Sequence, residues 1–131
     1  MPSKRILIID DEPDILEVLR CCLTSLAGWQ VYCADSGFEG IDLASEVRPD
    51  AILLDLMMPS MDGLTVLRHL RDREETRNIP VILISAKIQL LSARRQQQLK
   101  VAGAIPKPFH PRSIVCEIQT FLGWDEQPLE A

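Results

Sequence analysis

The chain has few cysteines, and none of them lies in a metal-binding pattern. Four occur among 131 residues, no pair forms a C-x-x-C motif, and no histidine stands at metal-ligand spacing from them. Nothing in this distribution indicates a zinc site. We interpret the four as small buried apolar side chains of a protein in the reducing cytoplasm. They are Cys21, Cys22, Cys33 and Cys116.

Long apolar runs are also missing, and we expect no leader segment. The longest apolar stretches are far shorter than the about 20 residues that a membrane-spanning helix requires. The N-terminal residues Met-Pro-Ser-Lys-Arg run directly into the first predicted strand and leave no room for a signal peptide. We therefore expect a cytoplasmic protein with no membrane insertion.

The sequence has little clustered positive charge. Lys and Arg number 14 against 19 Asp and Glu, which gives a formal net charge of −5. The densest basic pair, Arg94-Arg95, is followed by three glutamines and is typical of a solvated helix face. Because a negatively charged chain repels a polyanion, we expect no direct binding of nucleic acid.

What the sequence does contain is a regular alternation of short apolar runs and helical patterns. The apolar runs cover residues 5–9, 29–34, 51–54, 79–84 and 104–106. Continuous runs of this length are typical of parallel strands that are buried on both faces. We predict one α/β domain, with a doubly wound five-stranded parallel sheet and right-handed crossovers.

The helical segments carry apolar stripes and end signals. In the second helix, which begins at Ser36-Gly37, we expect Phe38 and Ile41 to face the core. A polar helix is expected from about Leu90 to Lys100, and a last helix from Pro111 to Leu122. The first helix is expected to end at Gly28 and the last at Gly123, with Trp124 folding back on the final turn. The stripe of the first helix consists of Ile15, Leu16, Leu19, Leu23 and Leu26.

Three of the predicted strands lead into charged residues. Asp10-Asp11 follow the first strand, Asp55 ends the third, and Lys107 follows the fifth. The C-terminal ends of parallel strands form the ligand crevice of an open sheet, so these side chains should gather at one rim. Three carboxylates and one ammonium suit a divalent cation and a phosphoryl group.

The chemistry of clustered carboxylates supports this interpretation. Carboxylates a few ångströms apart raise one another's pKa unless a cation lies among them. Mg²⁺ prefers carboxylate oxygens together with several retained waters. A carboxylate can also act as a nucleophile and form an acyl phosphate. A purely structural cluster of Asp10, Asp11 and Asp55 is therefore disfavoured.

Five short motifs follow one another at characteristic spacing. They are Asp10-Asp11, Asp55, the segment Met58-Pro59-Ser60-Met61-Asp62-Gly63, Ser85-Ala86 and Lys107-Pro108-Phe109. Together they closely resemble the receiver domain of bacterial two-component response regulators, from Lys4 to about Trp124. The resemblance implies a flavodoxin-like fold with strand order 2-1-3-4-5, which accepts a phosphoryl group from a histidine kinase onto an aspartate.

The resemblance also implies a role for each site residue. Asp55 matches the phosphoacceptor, and Asp11 matches the direct ligand of Mg²⁺, which Mn²⁺ can replace. Asp10 matches the residue that holds the metal through water or orients it, and the backbone carbonyl of Met57 matches a further ligand. Lys107, after which a cis bond to Pro108 is implied, matches the lysine that pairs with the phosphoryl oxygens. The hydroxyl that hydrogen-bonds the phosphoryl group is matched by Ser85.

The chain departs from the family pattern in its fifth strand. The position three residues before Lys107 usually holds an aromatic side chain that swings inward on phosphorylation, and here it is Ala104. Pro106 directly precedes Lys107 and removes one backbone donor, which an edge strand can accommodate. Met57 and Lys87 occupy the two positions that flank the path of water to the acyl phosphate. These departures put the aromatic switch in doubt, but not phosphorylation.

The expected function is that of a single-domain response regulator. Residues 1–124 would form the receiver domain and residues 125–131 a short tail, with no output domain. The chain would catalyse only its own phosphotransfer and dephosphorylation. It would take phosphate from a sensor histidine kinase or a histidine phosphotransfer protein and then bind a downstream target protein.

Four alternative functions compete with this one, and each makes its own demand on the residues. A phosphorelay intermediate would pass its phosphate on to another histidine. A phosphorylation-independent interaction module would not need the complete set of acids, hydroxyl and lysine. A hydrolase of the haloacid-dehalogenase type needs a second acid where Met57 stands. A flavin-binding module needs a Ser/Thr/Gly-rich loop where this chain has two acids and a proline.

Overall fold

Each apolar run forms a strand, and each strand is followed by a helix. The computed structural model of the protein describes residues 4–88 and 91–124. The strands are β1 (Arg5–Ile9), β2 (Gln30–Ala34), β3 (Ala51–Asp55), β4 (Val81–Ser85) and β5 (Gly103–Pro106). The helices are α1 (Pro13–Ala27), α2 (Gly37–Val47), α3 (Gly63–Asp72), α4 (Ala93–Leu99) and α5 (Ile114–Leu122).

The strands form one parallel sheet in the order β2-β1-β3-β4-β5. The register pairs Ile8 with Leu53 between β1 and β3, and Asp55 with Ile84 between β3 and β4. Every residue of β3 and β4 is buried. Full burial of central parallel strands explains their unbroken apolar composition. The predicted fold class and strand order are confirmed.

Hydrophobic cores lie on both faces of the sheet. Successive residues of a strand point to opposite faces, so Ile6 and Ile8 of β1 pack into one core and Leu7 and Ile9 into the other. Helices α1 and α5 cover the first core, and α2 and α3 cover the second. No residue of α4 is buried. No helix among the described residues combines the length and apolarity that a membrane crossing needs.

The helix ends follow the predicted signals. The Ser36 hydroxyl accepts a hydrogen bond from the Glu39 N–H at the start of α2. Gly28 and Gly123 end α1 and α5 in the left-handed region, with φ of 71° and 67°. Beyond Gly123, the Trp124 N–H donates to the Gln119 carbonyl, and the Trp124 ring meets the Trp29 ring edge-on at 5.3 Å.

Two side chains predicted to face the core are exposed. Phe38 is 63% exposed and Leu26 is 40% exposed. The buried face of α2 consists instead of Gly37, Gly40, Ile41 and Ala44, which share one side of a helix at 3.6 residues per turn. Phe38 lies outside that stripe because it stands about 100° around the helix from Gly37, on the side away from Gly40 and Ala44.

Several element boundaries differ from the predictions, and β2 and β5 begin one residue later and one residue earlier than expected. Strand β4 begins at Val81 rather than Ile79, because the intervening Pro80 has no N–H to donate to a neighbouring strand. Residues 111–113 form a turn, so α5 begins at Ile114. Helix α4 begins at Ala93 behind a Ser92 cap. Its predicted start at Leu90 and the predicted tail of residues 125–131 lie outside the described residues.

The interpretation of the cysteines as buried apolar side chains is wrong. Cys21 and Cys116 are exposed, and Cys22 and Cys33 are only partly buried. All four are free thiols. Cys22 and Cys33 do pack against the core under α1, whereas the other two lie on the solvent faces of their helices. The small size of the side chain does not decide on which face of a helix it lies.

Candidate functional site

The strand ends bring the predicted acidic residues and the lysine together at one rim. Asp10 and Asp11 directly follow β1, Asp55 is the last residue of β3, and Lys107 directly follows β5. Carboxylate oxygens of Asp10, Asp11 and Asp55 all lie within 4.8 Å of one another. The predicted convergence of three carboxylates and one ammonium is therefore present.

The two deeper carboxylates are buried and only half satisfied. Asp10 and Asp55 are 0% and 1% exposed. Asp10 Oδ1 accepts a hydrogen bond from the Glu12 N–H at 2.9 Å, and Asp55 Oδ1 accepts one from the Met57 N–H at 3.1 Å. The Oδ2 atom of each is buried without a hydrogen-bond partner in the described part of the chain. Two buried carboxylate oxygens at one rim that accept no hydrogen bond fit a bound cation.

Lys107 lies among three acidic side chains. Its Nζ is 2.8 Å from Asp10 Oδ2, 3.4 Å from Glu12 Oε1 and 3.5 Å from Asp55 Oδ2. The contacts with the two Oδ2 atoms are ion pairs without hydrogen-bond geometry. The Lys107 side chain is only 9% exposed. The implied cis bond between Lys107 and Pro108 is present.

The backbone beside Lys107 is joined to the end of β4. The Lys107 N–H donates to the Ser85 carbonyl at 2.9 Å. Ser85 is buried, and its hydroxyl accepts from the Lys87 N–H at 3.1 Å. Pro106 lies opposite Ser85 in the register, on an edge strand where a missing N–H is tolerated. Ser85 is thus at the same rim as the acids, with its hydroxyl next to the start of the β4–α4 loop.

Burial sets the ionisation of Asp55. Burial is the largest cause that raises the pKa of the Asp55 carboxyl, and the neighbouring Asp10 charge acts in the same direction. The Met57 N–H and Lys107 offset part of the rise, and the resulting pKa is about 6. Burial lowers the pKa of Lys107, but the contacts with Asp10, Asp55 and Glu12 outweigh it and leave that pKa above its ordinary value.

A glycine lets the loop after β3 close on the site. The Gly63 N–H donates to the Leu56 carbonyl at 3.0 Å, next to Asp55. A Cβ at this position would overlap the Asp55 carbonyl oxygen. The preceding Asp62 caps α3 by accepting from the Thr65 N–H at 2.9 Å. The Asp62-Gly63 motif therefore fixes how α3 leaves the rim.

Glu12 is a member of the site that the sequence did not identify. Its carboxylate contacts Lys107, which lies 95 residues further along the chain. The one signal in the sequence is its place directly after Asp10-Asp11. Met57, in contrast, contributes a backbone N–H to Asp55, and its side chain is 56% exposed.

Comparison with known proteins places this geometry in a family. Residues 6–119 match the family model described as the response regulator receiver domain. A putative response regulator from Chloroflexus aurantiacus is 27% identical, with a TM-score of 0.81, over 92% of this chain and 98% of that one. The receiver domain of a sensor histidine kinase from Pseudomonas aeruginosa, described with a magnesium ion coordinated in its active-site cleft, is 29% identical. Its TM-score is 0.79, over 92% of this chain and 98% of its own.

A chemotaxis protein, CheY4 of Vibrio cholerae, has a similar fold. It is 24% identical, with a TM-score of 0.83, over 91% of this chain and 98% of that one. The family model covers most of the chain, and the acids, hydroxyl and lysine of the resemblance all lie at one rim. The chain belongs to the response regulator receiver domain family.

Proposed function

We propose that the chain is a response regulator that accepts a phosphoryl group onto Asp55 in a Mg²⁺-dependent reaction. A sensor histidine kinase or a histidine phosphotransfer protein in the cytoplasm would supply the phosphoryl group. The phosphorylated form would signal by binding a downstream target protein. The observation that carries the proposal is the buried Asp55 carboxylate, which lies with two other carboxylates on one side and the Lys107 ammonium at 3.5 Å.

The transfer step requires Asp55 in its ionised form. A carboxylate oxygen of Asp55 attacks the phosphorus of a phosphohistidine, the new O–P bond forms, and the P–N bond breaks. The imidazole leaves with the electron pair of the P–N bond and takes a proton from solvent. In the separate hydrolysis step, a water oxygen attacks phosphorus and the P–O bond to Asp55 breaks. The Asp55 carboxylate leaves with the electron pair of that bond, the water loses a proton to solvent, and inorganic phosphate is released.

The three carboxylates and the Met57 carbonyl are the groups that would hold the metal. Asp11 and Asp55 would be ligands, and Asp10 would hold the ion through water or help to orient it. A bound Mg²⁺ supplies positive charge that offsets the acids and the incoming phosphoryl oxygens. The buried Oδ2 atoms of Asp10 and Asp55, which accept no hydrogen bond in the described part of the chain, support this placement.

Lys107 and Ser85 would recognise the phosphoryl group itself. The Lys107 ammonium already lies 3.5 Å from Asp55 and can pair with a phosphoryl oxygen as a point charge. The Ser85 hydroxyl can donate a hydrogen bond, since it accepts from the Lys87 N–H and keeps its own proton available.

Intact-mass spectrometry with acetyl phosphate tests the proposal. We expect the wild-type protein to gain the mass of one phosphoryl group with Mg²⁺ or Mn²⁺ present, and none when EDTA removes the metal. Asp55→Asn should gain none under any of these conditions. Equal labelling of Asp55→Asn and the wild type would contradict the assignment of Asp55.

A further inference from the structure

Glu12 is bound to the site in two ways. Its backbone N–H donates to Asp10 Oδ1 at 2.9 Å, and its carboxylate Oε1 lies 3.4 Å from the Lys107 Nζ. Asp10 in turn holds the same ammonium through Oδ2 at 2.8 Å. The backbone hydrogen bond fixes the position of the Glu12 main chain at the start of α1. The side chain therefore reaches Lys107 from a defined point.

The Lys107 ammonium is shared among three acidic partners. Asp10, Glu12 and Asp55 each place one oxygen within 3.5 Å of its Nζ, and the Glu12 oxygen also accepts a hydrogen bond from it. A phosphoryl group on Asp55 adds new negatively charged oxygens that attract the same ammonium. As Lys107 moves to pair with these oxygens, its contact with Glu12 or Asp10 weakens.

Glu12 is the partner that can be released most easily. Its side chain is 57% exposed, whereas the side chains of Asp10 and Asp55 are 0% and 2% exposed. A released Glu12 carboxylate would be hydrated at once, but a released Asp10 would be left as a buried, unpaired charge. Asp55 is not a partner to be released, because its contact with Lys107 is replaced by that of the phosphoryl group it carries.

We propose that Glu12 is a positioning residue that restrains Lys107 toward Asp10 in the unphosphorylated protein and releases it on phosphorylation. The inference rests on the proposed function, because it assigns Lys107 to the phosphoryl group. The restraint is modest, because an ion pair that is half exposed changes an equilibrium by about two- to fivefold.

Two substitutions of Glu12 and one matched control distinguish the effect of the Glu12–Lys107 contact from the effect of a negative charge at the start of α1. Glu12→Gln removes the charge and the ionic contact. Glu12→Asp keeps the charge but shortens the side chain by one methylene, so the carboxylate no longer reaches Lys107. Asp14→Asn removes an equal charge from the first turn of the same helix, where Asp14 is exposed. Melting curves confirm that each variant is folded.

The first measurement needs no phosphorylation. The side-chain NMR signals of Lys107 (¹⁵Nζ and ¹³Cε) are recorded in metal-free wild type and variants. Both Glu12 variants are expected to shift these signals, and Asp14→Asn is expected to leave them in place. Unshifted signals in Glu12→Gln, or an equal shift in Asp14→Asn, would overturn the inference.

The second measurement is the rate of labelling by acetyl phosphate with Mg²⁺, followed by intact mass. Both Glu12 variants should label about two- to fivefold faster than the wild type, and the gain should shrink as salt screens the exposed pair. Asp14→Asn should label at the wild-type rate. A Glu12→Asp rate equal to the wild type would show that charge alone acts, and unchanged or slower labelling of Glu12→Gln would also refute the restraint.

The two measurements separate the inference from the proposed function. A wild-type protein that takes no phosphate would contradict the assignment of Asp55, while the Lys107 signals would still decide whether Glu12 holds the ammonium. If the wild type is labelled but substitution of Glu12 changes nothing, the assignment of Asp55 stands and the role of Glu12 is rejected.

Discussion

Asp55 lies where its negative charge is unfavourable in the metal-free protein. Burial and the nearby Asp10 raise the pKa of Asp55 from 3.8 to about 6. A carboxyl whose pKa is raised by folding stabilises the folded state below its unfolded pKa and loses that contribution as pH rises through its folded pKa. The chain therefore gives up stability at this residue between about pH 4 and pH 7, which metal binding can restore.

Replacement of Asp55 by asparagine should accordingly stabilise the metal-free protein near neutral pH. The rise of the pKa from 3.8 to about 6 corresponds to at most about 3 kcal/mol. We expect Asp55→Asn to exceed the wild type by about 1–3 kcal/mol in urea unfolding at pH 7.5 with EDTA, and the difference to vanish near pH 4. A variant less stable than the wild type at pH 7.5 would contradict the raised pKa.

Lys107 should matter more for the response than for the fold. With Mg²⁺ present to offset the acids, Lys107→Ala should keep its far-UV circular dichroism. Its response to phosphorylation should be lost, because the charge contact with the phosphoryl group is gone. NMR amide shifts on addition of beryllofluoride measure that response, with Lys100→Ala, an exposed lysine at the end of α4, as the control. A collapse of the dichroism would make Lys107 a structural residue.

Among the helices, α4 is the least constrained by packing. No residue of α4 is buried, and β5 is a short edge strand with Ala104 partly buried in its centre. The C-terminal end of α4 is tied to α3, because the half-buried Arg71 donates to the carbonyls of Lys100, Arg77 and Ile79 at 3.2, 3.0 and 2.9 Å. Movement that begins at Ser85 can therefore reach the start of α4 more easily than its end.

Hydrogen exchange should show a response centred on the loop after β4. With no ring at position 104 to swing inward, a displaced Ser85 hydroxyl acts through Ala86 and Lys87 rather than through β5. The change can be no larger than the difference in phosphoryl contacts between the two states. We expect beryllofluoride to alter protection at residues 85–88 and to leave residues 102–105 almost unchanged.

A variant with the missing aromatic provides the matched comparison. Ala104→Tyr should extend the protection change into residues 102–105 if a ring is what couples β5 to the site. Protection changes in β5 of the wild-type protein as large as those at residues 85–88 would show that the strand responds without an aromatic, and the prediction would fail.

For the molecule as a whole, the fold and most of the site can be predicted from the sequence. Buried parallel strands are recognisable as unbroken apolar runs, and parallel topology puts all their C-terminal ends at one rim. That reasoning located Asp10, Asp11, Asp55 and Lys107 without coordinates. The contact of Glu12 with Lys107 could not be found in this way, since it depends on side-chain directions 95 residues apart in sequence.

The errors about which helix side chains are buried have one physical origin. Periodicity identifies a helix, but the position of its buried stripe depends on what it packs against. Helix α2 packs on the sheet through Gly40, where a Cβ would overlap the Ile9 side chain. With Gly40 turned toward the sheet, the Phe38 side chain lies in solvent. Cys21 and Cys116 were misplaced for the same reason.

Metal binding should stabilise the whole domain, because the site joins the ends of β1 and β3. A ligand that binds only the folded state adds about 2.7 kcal/mol at a concentration of 100 times Kd. We expect Mg²⁺ to raise the melting temperature of the wild type. Asp11→Asn should lose most of that gain and show weaker Mg²⁺ binding in calorimetry, whereas Asp14→Asn should retain both. An undiminished Mg²⁺ affinity in Asp11→Asn would remove Asp11 from the ligand set.

The most direct test of the central claim is to locate the phosphoryl group chemically. Borohydride reduces an aspartyl phosphate to homoserine, which peptide mass spectrometry can assign to one residue after treatment with acetyl phosphate and Mg²⁺. The account predicts homoserine at position 55 in the wild type, and none at any position when EDTA is present or in Asp55→Asn. Homoserine at position 10 or 11, or a phosphorylated protein in which Asp55 is recovered intact, would contradict it.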